Sequence, residues 1–128
     1  MRKETFIDAF WEAGFWATTD ESTPQGGEPL DQNYGMRDLD PESRARGDAL
    51  CDAFIAQFGD DFEAASISRG DAWAQAGHDF FLTCARHGCG FWDGGWGEPF
   101  ATQATGACHA IGESAVSLYV GDDGRIYL

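Results

Sequence analysis

Residues 77–97 read GHDFFLTCARHGCGFWDGGWG, and the way this stretch folds decides the architecture of the chain. The run Phe80–Cys84 is short, apolar and rich in residues that favour strands. The next four residues, Ala85–Gly88, suit a turn, and Cys89–Asp93 suits a returning strand that the glycines at 94 and 95 would end. The stretch therefore predicts a β-hairpin over residues 80–93.

The chain after this hairpin predicts a helix and then a second hairpin. Glu98-Pro99 suits a helix start, an apolar stripe continues to Ile111, and Gly112 suits the helix end. Segments 116–120 and 125–128 then flank the turn sequence Gly121-Asp122-Asp123-Gly124. This is the clearest hairpin signal in the chain.

The chain before position 77 begins with a predicted helix and a loop. Apolar residues recur at helical spacing over Glu4–Phe15, and Gly14 is a suitable helix end. The acidic residues at positions 4, 8 and 12 line the opposite side, which is typical of a solvated helix face. Residues 18–40 have turn composition and predict a long acidic loop.

A second N-terminal helix is expected from Asp40 onwards, because an N-cap acid there precedes a proline in the first turn. Gly59 suits its end, and Asp60–Glu63 is interpreted as an acidic link. A chain of 128 residues is long enough for one domain with its own core and too short for two. We therefore predict a single acidic α+β domain over residues 1–128, with N-terminal helices packed on a small antiparallel sheet.

The net charge of the chain limits the classes of partner that it is expected to bind. Acidic residues number 22 and basic residues 8, so the net charge is −14. Such a charge repels phosphate backbones, and direct nucleic-acid binding is not expected. The same negative charge attracts basic protein surfaces, including those that bind nucleic acid. Simple solubility is the alternative explanation of the charge.

No membrane association is expected from the sequence. It contains no run of about 18 apolar residues, which a membrane-spanning helix needs. Its first residues, Met1 to Phe6, lack the long apolar region of a signal peptide. We therefore expect a cytoplasmic protein whose four cysteines are thiols.

A zinc site would have to draw on the cysteines and histidines of the C-terminal half. The candidate ligands are Cys84, His87, Cys89, Cys108 and His109. Adjacent Cys108 and His109 would point in different directions on a helix, and the spacing matches no common zinc pattern. We expect no metal and no cofactor.

Nucleophilic or acid–base chemistry is a second possibility for the segment 77–97. A cysteine there, Cys84 or Cys89, would need a histidine as base and a carboxylate to orient it. The alternative active site comprises His78, Asp79, His87 and Asp93. In a hairpin, however, His87 would lie at the exposed tip, where no walled pocket surrounds it.

Several motifs together resemble a family of small phage- and prophage-encoded proteins of unknown function. They are GHDF at 77–80, LT at 82–83, HG at 87–88, GFWD at 90–93 and LYVGDDGRIY at 118–127. The resemblance implies an accessory phage protein that works in the bacterial cytoplasm, and it assigns no catalytic residue. The family pattern has Arg-Asn-Gly where this chain has residues 84–86, and a small residue where it has Cys89. These departures count against a zinc or thiol site.

Two functional hypotheses follow. The first is a non-enzymatic protein that binds a basic surface on a host protein, such as an anti-CRISPR or anti-restriction inhibitor that imitates the charge of DNA. Its contact residues would be acids of the loop and link together with two tryptophans. They are Asp20, Glu21, Glu28, Asp31, Asp60, Asp61, Trp92 and Trp96. The second hypothesis is a small enzyme or ligand-binding protein that uses the alternative active site.

Overall fold

The computed structural model describes residues 2–22, 24, 26–65, 70–93 and 95–128. Within these ranges it contains four α-helices and two antiparallel pairs of short strands, an α+β fold that is mostly helical. The helices are α1 (Arg2–Ala17), α2 (Pro41–Ala64), α3 (Ala72–Cys84) and α4 (Phe100–Ile111). The strands are β1 (Thr19–Asp20), β2 (Glu28–Pro29), β3 (Tyr119–Val120) and β4 (Ile126–Tyr127). Short 3₁₀ turns lie at Leu30–Gln32, Met36–Asp38 and Glu113–Val116.

Helices α1 and α3 approach each other closely because each presents a glycine to the other. A Cβ atom added at Gly77 would lie 2.1 Å from the carbonyl oxygen of Phe6. A Cβ atom added at Gly14 would lie 2.9 Å from the ring of Phe81. Gly14 therefore serves close packing and does not end α1, which continues to Ala17.

The predicted hairpin at residues 80–93 is wrong, because Phe80–Cys84 forms the last turns of α3. This helix begins at Asp71, whose carboxylate accepts hydrogen bonds from the backbone N–H groups of Trp73 and Ala74. Every residue from Asp79 to Cys84 is buried. A helix surrounded by other elements shows no polar stripe, so its apolar run is indistinguishable from that of a buried strand.

Helix α2 begins as predicted and ends later than predicted. The Asp40 side chain accepts a hydrogen bond from the Ser43 backbone N–H at 3.0 Å, with Pro41 in the first turn. The helix passes Gly59 and includes Asp60 and Asp61, so the predicted acidic link at these positions is helical. The intrinsic cost of a glycine inside a helix is only about 1 kcal/mol, which packing of the surrounding turns offsets.

The core is a stack of aromatic rings supplied mainly by the helices. Phe54 of α2 and Phe80 of α3 have ring centroids 4.2 Å apart, and Phe6 of α1 lies 5.7 Å from Phe80. Phe91, from the loop after α3, stacks on Phe54 at 5.6 Å. The helices thus pack on one another, and the predicted layout of helices on a sheet is wrong because each strand pair contributes only two residues per strand.

The second predicted hairpin and the third predicted helix are confirmed. Tyr119 pairs with Tyr127 across β3 and β4, and the Gly121 N–H donates to the Arg125 carbonyl at 2.8 Å. Helix α4 starts directly after Pro99 and is followed by Gly112. No helix in the described part of the chain is long and apolar enough to cross a membrane.

Residues 18–40, predicted as a loop, fold back on themselves where they are described. Strands β1 and β2 pair antiparallel, and Leu30 and Leu39 are buried. Leu39 also forms an isolated bridge with Ile126 of β4. The segment is therefore attached to the body at its centre and at its end.

Candidate functional site

Two neighbouring cavities collect carboxylates from four parts of the chain. The larger, of about 370 Å³, is lined by Glu12, Asp71, Asp79 and Asp93, together with Ala9, Ala74, Gln75, His78 and Cys89. The second, of about 310 Å³, is lined by Asp8, Glu12 and Asp31, together with Phe15, Tyr34, Gly35 and Met36. Glu12 belongs to both. We call the six carboxylates Asp8, Glu12, Asp31, Asp71, Asp79 and Asp93 the acidic face.

Local sequence explains how the members of the acidic face are positioned. Asp8 and Glu12 lie one turn apart on α1, on the side away from its buried residues. Asp71 is the N-cap of α3. Asp93 closes a turn in which its Oδ1 accepts a hydrogen bond from the Gly90 N–H at 3.0 Å.

Asp79 is the buried member of the acidic face. Its side chain is only 3% exposed, and its two oxygens accept hydrogen bonds from different donors. The Gln75 amide donates to Oδ1 at 2.9 Å, and the Trp96 indole N–H donates to Oδ2 at 2.8 Å. A buried carboxylate needs such donors because its transfer from water is costly. Asp79 therefore connects the loop after α3 to the helix.

No lysine or arginine lines either cavity in the described part of the chain. Three ion pairs lie away from these cavities: Arg2 with Glu63, Lys3 with Asp52, and Arg44 with Asp48. Concave surfaces lined by one sign of charge concentrate the electric field. In the described part of the chain, the acidic face is therefore a concave surface lined by carboxylates and by no lysine or arginine.

Three of the four residues of the alternative active site converge, and one does not. His78, Asp79 and Asp93 line the larger cavity, as does Cys89. His87 lies in a different cavity with Glu113. The Trp16 ring contacts both imidazoles, with its centroid 5.9 Å from that of His78 and 5.5 Å from that of His87.

The remaining cysteines are core residues. Cys51, Cys84 and Cys108 are buried. Burial, followed by the nearby Asp48, raises the pKa of the Cys51 thiol, and a hydrogen bond with Cys84, followed by burial, raises that of Cys108. Thiols held protonated are poor nucleophiles and poor metal ligands. Among the described residues, no group of three or more histidine, cysteine or acidic side chains is placed to hold a metal ion.

The sequence-predicted contact residues are dispersed by the fold. Only Asp31 lies on the acidic face. Four others are exposed acids outside it: Glu21, Glu28, Asp60 and Asp61. Trp92 is 49% exposed, whereas Asp20 and Trp96 are buried and hydrogen-bonded inside the protein, so neither offers a contact surface.

Sequence reasoning missed Asp8, Glu12 and Asp71 as site residues. The signal for the first two was present, since acids spaced by four residues mark one face of α1. That pattern is typical of any solvated helix face, and only the approach of α3 and the 31–36 segment makes it concave.

A scan against protein-family models, a search of curated proteins and a search of solved structures each gave no match.

Proposed function

We propose that this chain binds a basic surface of another protein through its acidic face and inhibits that protein by occupying the place of nucleic acid. The observation that carries the proposal is the grouping of six carboxylates around two adjoining cavities with no lysine or arginine in their described lining. The resemblance to phage proteins suggests that the target is a nucleic-acid-acting defence factor of the host, of the anti-CRISPR or anti-restriction type.

Electrostatics favours this partner over others. A nucleic-acid-binding protein carries lysines and arginines arranged to meet phosphates, and these groups are attracted to any dense array of negative charge. The cavities have room for cationic side chains to enter between carboxylates of α1 and α3. A net charge of −14 adds long-range attraction that accelerates association at low salt.

The experiment compares two variants with equal charge changes at different places. The first neutralises the acidic face with Asp8→Asn, Glu12→Gln and Asp31→Asn. The matched control neutralises three exposed acids elsewhere with Glu21→Gln, Asp60→Asn and Asp61→Asn. Each immobilised variant is used to capture proteins from a bacterial lysate, and captured proteins are challenged with duplex DNA and with rising salt.

We expect the unaltered chain to capture a nucleic-acid-binding protein. Competing duplex DNA should displace this protein, and rising salt should release it. Capture should be lost with the acidic-face variant and retained with the control. Equal loss in both variants would mean that only net charge matters, which contradicts a specific face. A partner that DNA does not displace would contradict occupation of a nucleic-acid site.

A second candidate function is thiol chemistry in the larger cavity. It is favoured by the convergence of Cys89, His78 and Asp93 on one concavity, since a thiol needs a neighbouring base and a carboxylate to orient that base. Its test is the pH dependence of Cys89 alkylation by iodoacetamide. If His78→Ala leaves the rate and its pH profile unchanged, His78 does not activate the thiol and this function is excluded.

A further inference from the structure

A cavity beside helix α4 differs in charge from the acidic face. It has a volume of about 290 Å³ and is lined by Arg86, Gly88, Trp92, Thr105 and His109. It therefore lies between the loop that follows α3 and helix α4, where Thr105 and His109 are one turn apart. None of these lining residues is a carboxylate, in a chain with 22 acids. Binding pockets for small ligands start at about this size.

Arg86 occupies a backbone position that favours glycine. Its φ is 55°, in the left-handed region that side chains rarely adopt. The backbone N–H groups of Arg86 and His87 donate to the carbonyls of Thr83 and Leu82, the pattern of a helix end whose left-handed residue is usually glycine. An arginine here pays a conformational cost that glycine would not.

The guanidinium of Arg86 is available to a ligand. Arg86 is exposed, and within the described part of the chain its side chain makes no hydrogen bond or ion pair. Three other basic residues, by contrast, pair with carboxylates. An arginine without a partner, beside an imidazole, is suited to bind the carboxylate of a ligand through two parallel hydrogen bonds.

Trp92 supplies a stacking surface that packs against the loop after α3. A Cβ atom added at Gly90 would lie 2.7 Å from Cζ3 of Trp92, so the ring packs against that glycine while 49% of the residue stays exposed. The hydrogen bond from the Gly90 N–H to Asp93 fixes the same turn. A half-exposed indole offers its exposed surface for a flat ring to stack on.

We propose that this cavity binds a planar aromatic molecule with a single negative charge. The ring of the ligand stacks on Trp92, and its carboxylate pairs with Arg86 while the His109 imidazole borders the same space. The net charge of −14 repels polyanions, which favours one negative charge over a polyphosphate. This site is separate from the acidic face and goes beyond the function proposed above.

The experiment titrates the full chain with naphthoate by calorimetry and follows the indole N–H signals by nuclear magnetic resonance. Neutral naphthalenemethanol serves as the uncharged analogue. Arg86→Gly and Trp92→Ala test the site, and Arg37→Gln, at an exposed arginine on another segment, is the control for charge. Thermal unfolding of each variant reports on folding.

Naphthoate should perturb the Trp92 indole signal and bind at least about tenfold more tightly than the alcohol, since hydrogen bonds to charged groups contribute that much. Arg86→Gly should weaken binding by about tenfold or more, yet leave the unfolding midpoint equal or higher because glycine suits the backbone. Arg37→Gln should bind as the unaltered chain does. Binding that is equal in Arg86→Gly and Arg37→Gln, or that leaves the Trp92 signal unmoved, would overturn the proposal.

Discussion

The indole N–H of Trp96 donates a hydrogen bond to Oδ2 of Asp79 at 2.8 Å, and both side chains are buried. This bond joins the loop after α3 to the helix itself across 17 positions of sequence. It places the carboxylate in the lining of the larger cavity, which also includes the exposed carboxylates of Glu12, Asp71 and Asp93. The same bond therefore supports the fold and shapes the candidate site.

Replacing Trp96 by phenylalanine should destabilise the protein by about 1–3 kcal/mol, because a buried carboxylate oxygen loses its donor. Urea denaturation followed by circular dichroism measures the change. The matched control is Trp92→Phe, at a half-exposed tryptophan, for which we expect a change within about 0.5 kcal/mol. Equal effects of the two substitutions would show that the bond to Asp79 contributes little.

Replacing glycine by alanine at two helical positions should change the free energy of unfolding in opposite directions. Gly77→Ala places a Cβ 2.1 Å from the Phe6 carbonyl oxygen, so α1 and α3 must separate, at a cost of about 1–3 kcal/mol or more. Gly106 lies inside α4 with no atom within 4 Å of an added Cβ, and Gly106→Ala should stabilise by about 0.5–1 kcal/mol. Thermal unfolding of both variants checks the contrast. A tolerated Gly77→Ala would contradict the close helix crossing.

The C-terminal hairpin carries a pair of groups with linked titrations. The Tyr127 hydroxyl donates to Asp123 at 2.6 Å, which raises the pKa of Tyr127 to about 12 and lowers that of Asp123. The Tyr127 contribution to stability is present below its ordinary pKa of 10.0 and is lost as pH rises through about 12. The Asp123 contribution is present above its ordinary pKa of 3.8 and is lost as pH falls through its lowered value.

Asp123→Asn should return the Tyr127 pKa toward 10.0, since the carboxylate that disfavours the phenolate is removed. Magnetic resonance of the labelled tyrosine ring gives the titration directly. Tyr119→Phe, across the ladder from Tyr127, is the control and should leave the raised pKa in place. A Tyr127 pKa that does not move on removing the Asp123 charge would contradict the hydrogen bond.

Only one of the four cysteines should react with a thiol reagent in the native state. Cys89 is partly exposed, whereas Cys51, Cys84 and Cys108 are buried. Labelling with Ellman's reagent should release one equivalent from the folded chain and four from the chain in denaturant. Cys89→Ser should abolish the native reaction. Rapid native labelling of Cys89→Ser would mean that the core opens more readily than its packing suggests.

The candidate site could be predicted only in part. Sequence reasoning singled out His78, Asp79 and Asp93 as potential partners, and they line one cavity. It could not find that Glu12 completes the same cavity, because Glu12 lies 59 positions before Asp71 and nothing local connects them. The placement of His78 and His87 in different cavities was equally invisible, since it depends on how distant segments pack.

The sequence by itself determined the features that depend on near neighbours: the start of α2 at Asp40, the turn between β3 and β4, and the net charge. Tertiary structure alone decided that Phe80–Cys84 is helical, that Gly14 and Gly77 are contact points, and which carboxylates share a cavity. Capping and turn preferences act over a few residues, and charge is a simple sum. The other features depend on which surfaces pack together, and packing joins residues that are distant in the chain.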